Sequence, residues 1–248
     1  MKRHLWPTAL IGTLAIPLLL VGARADAATI TSYVASGDPG GAPDANAQSV
    51  DAWTTTLSSD GGRGSGFFSP FTLSSTPWVL FSYPSGGING SIQANHTFDG
   101  GPLGVGQAVM IDWANRAIDT GNSVGVSLMS AGTPAVTFKF VGGDPDGVYR
   151  YDDAGGAGQS TGASFGYQTM NTLKFAITGP GTYSASYGAS SWNGTYTGTI
   201  DGIQVFNNGA GNGSDVPFNN LVVVPEPVSF VLAMLSLASM LIVRRARN

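Results

Sequence analysis

The chain has no cysteine, two histidines and a single glutamate among 248 residues, and only 10% of its residues are charged. Without cysteine there is neither a disulfide framework nor a thiolate metal site, so the fold must be held by core burial alone. Long apolar runs are missing from the interior and occur only at the two ends. Positive charge is also scarce there. Between Ala28 and Val224 five basic residues (Arg63, Arg116, Lys139, Arg150, Lys174) stand against thirteen aspartates, a formal charge of −8. Such a surface repels phosphate backbones and excludes a nucleic-acid partner. What is abundant is glycine, 36 residues, together with Thr, Ser, Tyr and Phe, a composition that favours strands and turns.

The N-terminus predicts a secretory signal over residues 1–27. Lys2, Arg3 and His4 precede an apolar stretch from Leu5 to Val21, and small residues follow at A-x-A spacing, Ala23-Arg24-Ala25 or Ala25-Asp26-Ala27. The C-terminus predicts a transmembrane helix over 228–243. Val228 to Val243 holds no charge, would reach about 24 Å as a helix, and is followed by Arg244, Arg245 and Arg247, which place that end in the cytoplasm. A plain membrane anchor and a lipid-anchor signal are the alternatives for this tail.

The lone glutamate, Glu226, lies between Pro225 and Pro227 just ahead of that apolar span. The two prolines remove backbone donors and keep the preceding residues extended, so the strip can be read by another protein. Val224-Pro225-Glu226-Pro227, the apolar span and Arg244-Arg245, in that order over residues 223–248, resemble the PEP-CTERM sorting signal of bacterial envelope proteins. The resemblance implies an exosortase as partner, a membrane-anchored precursor, and release or attachment at the cell surface, often beside exopolysaccharide.

The interior, residues 28–222, shows period-2 alternation, which predicts strands. Val109/Ile111/Trp113, Val124/Val126/Leu128, Val136/Phe138/Phe140, Leu173/Phe175/Ile177 and Tyr183/Ala185/Tyr187 alternate with polar or small residues. Eleven to fourteen short strands separated by Gly-, Pro- and Asp-rich turns predict one all-β sandwich. One helical turn is expected near Ala114–Ile118 and a bulge near Asp201-Gly202. A terminal hairpin is expected between the two Phe-Asn-Asn copies at 206–208 and 218–220. The ending "DVPFNNLVV" is similar to the closing strand of concanavalin-like and carbohydrate-binding jelly rolls, which implies a jelly-roll arrangement.

The site expectations are modest. Trp192, Asn193 and Tyr196, near Tyr183 and Tyr187, are candidates for carbohydrate binding, because ring faces beside amides suit sugars; packing in the core is the competing role. Asp144, Asp146, Asp152 and Asp153 are candidate calcium ligands, since a hard cation takes many oxygens, although the "DPDG" stretch is also an ordinary turn. "AGNGSDVP" at 210–217 partly resembles one calcium-binding repeat of RTX proteins. Glycoside hydrolysis needs two carboxyl groups across the scissile bond, and only Asp112, beside Trp113, stands out. His96 has no nucleophile motif to serve. The expectation is therefore an exported, noncatalytic surface or matrix protein that binds polysaccharide. The alternatives are a purely structural or adhesive module and an Asp-dependent hydrolase.

Overall fold

The computed structural model describes residues 53–57, 63–67, 77–82, 91–98, 100–208 and 215–225. The expected signal segment, the stretch from Glu226 to Asn248, and residues 209–214 lie outside the described residues. Among the described residues no helix is long and apolar enough to cross a membrane.

Among the described residues fourteen strands form two antiparallel sheets of seven. In chain order they are β1 (Thr54–Leu57), β2 (Arg63–Phe67), β3 (Trp78–Ser82), β4 (Ser91–Thr97), β5 (Gln107–Trp113), β6 (Ser123–Ser130) and β7 (Thr133–Val141). They continue as β8 (Val148–Asp153), β9 (Gly156–Ser164), β10 (Asn171–Gly179), β11 (Thr182–Tyr187), β12 (Ser190–Thr195), β13 (Gly202–Asn208) and β14 (Val216–Pro225). The first sheet runs β1-β4-β13-β6-β7-β8-β9 and the second β12-β11-β10-β5-β14-β3-β2.

Two meanders, β6–β9 and β10–β12, lay down half of each sheet. The last two strands then close the two sheets separately: β13 enters between β4 and β6, and β14 enters between β5 and β3. This crossing between sheets is a jelly-roll-like sandwich. It also corrects the expected terminal hairpin. The two Phe-Asn-Asn copies belong to strands of different sheets, so they are not paired with each other.

The alternation read from sequence is the inward face. Val109, Ile111 and Trp113 of β5, Phe138 of β7, Leu173 and Phe175 of β10 and Tyr183 of β11 are all essentially inaccessible. The core is rich in rings. Phe138 reaches across from the first sheet to Trp113 (centroids 5.4 Å), Tyr187 (4.9 Å) and Trp192 (5.7 Å) of the second. Near β1 a second group joins Trp53, Trp78 and Phe218, and His96 lies inside it, 5.3 Å from Trp53. His96 is a packing residue of the core.

Three further expectations are corrected. Ala114–Ile118 is not helical: Ala114 N donates to Pro217 O (3.0 Å) and Arg116 N to Asp215 O (3.1 Å), so the chain continues extended beside the approach to β14. Ile200 is out of phase because it precedes β13; it plugs the core from a loop, and Asp201 N donates to Met129 O. The sheet also does not stop at 222. After an irregularity at Asn219–Val222, with Asn220 at φ 52°, β14 continues beside β5 through Val224, opposite Ala108, and Pro225, opposite Gln107. The first half of the Val224–Pro227 motif is thus part of the sandwich.

Candidate functional site

The residues singled out from sequence do not assemble into one site. Trp192 is 9% exposed, its ring stacked on Phe138 (5.7 Å, 13°) and on Tyr151 (5.7 Å, 26°). Tyr196 is equally buried, while Asn193 is exposed on β12 opposite Ser184. The expected sugar platform of Trp192, Asn193 and Tyr196 is corrected accordingly: both rings belong to the core.

The four aspartates divide as well. Asp144 and Asp146 grip Arg150: Nε to Asp144 Oδ2 at 2.7 Å, Nη2 to Asp144 Oδ1 at 3.0 Å and to Asp146 Oδ2 at 2.5 Å. The Arg150 bond, with help from the Asp146 amide, holds the Asp144 carboxyl below its usual range. Asp152 pairs with Lys139. Asp153 instead ties the edges of the two sheets. It accepts from Gln159 Nε2 (2.9 Å) of β9, Tyr183 OH (3.1 Å) of β11 and Thr195 N (3.0 Å) of β12. Gly194 lies against this clamp, and a Cβ there would sit 2.1 Å from Asp153 Oδ2. Asp144, Asp146, Asp152 and Asp153 therefore do not form one calcium shell. Among the described residues no three acidic or histidine side chains converge. Asp112 is a surface strut, accepting from Thr172 Oγ1 (2.6 Å) and Asn220 Nδ2 (2.7 Å).

The arrangement that sequence reading missed is on the outward face of the first sheet. There the register aligns an unbroken polar row across six strands: Thr54, Asn95, Gln204, Ser127, Thr137 and Asp152. A second row beside it runs Gln93, Phe206, Gly125, Lys139, Arg150. Gln204 and Ser127 are buried, and Gln93, Asn95, Thr137, Lys139, Arg150 and Asp152 are half-buried.

The buried members fix the others. Gln204 Nε2 donates to Asn95 Oδ1 (2.8 Å) and Gln93 Oε1 (3.2 Å), and Ser127 and Thr137 share a bond of 2.9 Å. Each of the two amide oxygens thus accepts from Gln204, which fixes the orientation of the Gln93 and Asn95 amides. Phe206 lies over Gly125, where a Cβ would meet its ring at 2.8 Å and the Phe138 carbonyl at 2.1 Å, so only glycine lets the ring and strand β7 approach there. The rows draw on strands from residue 54 to residue 206. The local traces in the sequence are short polar alternations, Gln93-x-Asn95 in β4, Thr137-x-Lys139 in β7 and Arg150-x-Asp152 in β8.

No family model and no curated protein matches the chain. Solved structures similar to it include the alginate lyase from Corynebacterium sp., at 16% identity and TM-score 0.49, covering 70% of this chain and 93% of that one. They also include an alginate lyase from Pseudomonas aeruginosa (13%, TM-score 0.42, 60% of this chain and 83% of that one). The exoplasmic/lumenal domain of VIP36, solved bound to Ca2+ and Man3GlcNAc, is a third (6%, TM-score 0.45, 71% and 84%). The expectation that the chain is not an enzyme is withdrawn on this finding, because alginate lyases are enzymes and stand among the structures it is similar to.

Proposed function

We propose that this is an exported polysaccharide-interacting protein whose glycan lies across the outward face of the first sheet. One observation carries the reading: the polar row from Thr54 to Asp152, with Gln93 and Asn95 locked by Gln204 so that their donors are preset. Preset donors avoid the ordering cost that mobile amides incur on binding. Charge supports a neutral glycan. Lys139 and Arg150 are outnumbered by Asp144, Asp146 and Asp152 on this face, and the interior of the chain carries −8. An anionic polymer would meet like charge.

The double variant Gln93→Ala/Asn95→Ala tests this. Its retention in affinity electrophoresis through a neutral glucan or mannan gel is expected to fall about tenfold, the equivalent of about 1.4 kcal/mol. Folding is expected to be intact, and retention in a polygalacturonate gel is expected to be weak for parent and variant alike. Parent-like retention of the variant in the neutral gels would remove this face from the function. The same gels reveal any shortening of the polymer.

Export and sorting complete the proposal. The signal at 1–27 directs export, and Val224-Pro225-Glu226-Pro227 with Arg244-Arg245 is the handle for an exosortase that moves the protein from the membrane to the cell surface. Glu226→Ala is expected to accumulate an uncut membrane-bound precursor. Mass spectrometry of the C-terminus from the native envelope checks this: a wild-type protein still ending at Asn248 would reduce the tail to a plain anchor.

A further inference from the structure

The loops at one end of the sandwich are bonded into a single surface. Phe98 N donates to Asp201 O (3.0 Å), Leu103 N to Ile200 O (2.8 Å) and Gly106 N to Ile177 O (2.9 Å). Thr199 N donates to Ser130 Oγ (3.1 Å), Tyr196 N to Gly181 O (2.9 Å) and Ala154 N to Thr195 O (3.1 Å). Residues 98–106, 130–133, 153–157, 179–182 and 195–201, drawn from both sheets, are thereby brought together.

Strand β14 leaves the fold at this end. Val222, Val223, Val224 and Pro225 stand opposite Met110, Val109, Ala108 and Gln107, so β5 holds the chain as far as Pro225. Only Glu226 and Pro227 then separate Pro225 from Val228, where the uncharged apolar stretch to Val243 begins. At full extension that connection spans about 10 Å. The loop that leads into β5 lies beside the exit. Its Val105, two residues before Gln107, is 60% exposed, more than any other large apolar side chain among the described residues.

A single exposed valine requires no explanation by itself. The distribution of charge around it does. Among the described residues the charged groups at this end are Asp153 and Asp201, both half-buried. Asp153 accepts from Gln159, Tyr183 and Thr195, and Asp201 Oδ2 accepts from Ala131 N at 3.0 Å. Asp99 lies outside the described residues. Every exposed position described on this surface is Gly, Ala, Pro, Thr or Val. The opposite end, formed by residues 114–122, 142–147, 165–170 and 215, carries Arg116, Asp119, Asp144, Asp146 and Asp215. A surface of small uncharged groups can approach lipid headgroups closely, because no ion has to shed water there. Carboxylates held at the far end escape that cost and the repulsion of an anionic leaflet.

We propose that this end of the sandwich is a lipid-contacting surface: in the membrane-bound precursor residues 101–106 lie against the headgroups, with the Val105 side chain in the interface. This contact rests on the tail reading above and adds an orientation to it. A span on a flexible tether would leave the sandwich free to tumble in water, whereas here the exit strand is paired up to Pro225.

Because the chain has no cysteine, one introduced thiol carries one reporter. Val105→Cys, Pro102→Cys in the same loop and Ala117→Cys at the opposite end, all exposed positions, are labelled with an environment-sensitive fluorophore in the full exported protein. Each is reconstituted into phosphatidylcholine–phosphatidylglycerol vesicles with and without a nitroxide on the headgroup. Interfacial residues lie about 5–10 Å into the headgroup boundary, so the labels at 105 and 102 are expected to lose about half of their fluorescence to the nitroxide. The label at 117 is expected to lose almost none, because the length of β5 alone sets the two ends about 20 Å apart. Flotation on a density gradient reads the anchor separately, and Leu235→Arg/Leu237→Arg is expected to abolish it. If the protein floats by its tail while neither loop label is quenched more than the label at 117, the lipid contact is overturned and the tail reading stands. If the parent does not float, or the double arginine variant floats like the parent, the tail is not a span and both are overturned.

Discussion

Above about pH 10 the sandwich is expected to lose its structure cooperatively, over a narrow pH range, rather than ionise residue by residue. Tyr149, Tyr183 and Tyr187 are at most 3% exposed. Burial raises the pKa of all three phenols. The neighbouring Tyr187 adds to the rise at Tyr149, and the Asp153 charge and hydrogen bond add to it at Tyr183. In the unfolded chain each phenol ionises near its ordinary value of about 10. Above that pH the native state therefore holds up to three protons that the unfolded state has released. The stability these protonated groups contribute is fully present below about pH 10 and is lost as pH rises toward the native values, at about 1.4 kcal/mol per group per pH unit. Three groups together give about 4 kcal/mol per unit, against a total stability of about 5–15 kcal/mol for an ordinary domain. Circular dichroism and tyrosinate absorbance, followed over the same alkaline titration, are expected to change together. Tyr183→Phe should make the pH dependence shallower by one proton. Gradual ionisation of all eight tyrosines with the fold unchanged would mean that these rings are not buried as described.

The inward face of this fold was legible because burial on one side of a sheet forces a two-residue period. β5, β7, β10 and β11 are dominated by that constraint, and their predicted core residues are the observed ones. β4 (SIQANHT) and β9 (GAGQSTGAS) carried too little apolar contrast to be placed. The division between sheets was not legible either. Whether β13 pairs with β14 or with β4 depends on contacts between residues such as Gln204 and Asn95, 109 apart in sequence, which no local pattern encodes. Trp192 was left between two roles for a related reason. An aromatic among small residues fits either face of an edge strand, and the stacking on Phe138 that decides it comes from the other sheet. The polar outward rows were hidden because each strand contributes only one or two members. The turn aspartates were visible, but their partners Arg150 and Lys139 were not, so ion pairs looked like metal ligands.

Phe138→Ala is expected to cost about 4 kcal/mol, near the upper end for a single core truncation. Phe138 is wholly buried, and its ring lies within 5.7 Å, centroid to centroid, of Trp113, Tyr149, Tyr187 and Trp192. Three of those four belong to the opposite sheet, so the cavity would open in the layer that joins the sheets, where rigid backbones on both sides cannot collapse to fill it. Chemical denaturation should show a lower midpoint with an unchanged slope. Ser184→Ala, on the outward side of β11, should stay within about 0.5 kcal/mol of the parent. The same cavity would bring water toward Tyr149 and Tyr187, the rings whose burial drives the alkaline transition. Phe138→Ala should therefore also move that transition to lower pH, beyond what its lost stability alone requires, and lessen its steepness. If Phe138→Ala instead unfolds at the parent midpoint, the ring does not join the two sheets, and the core is organised around other contacts.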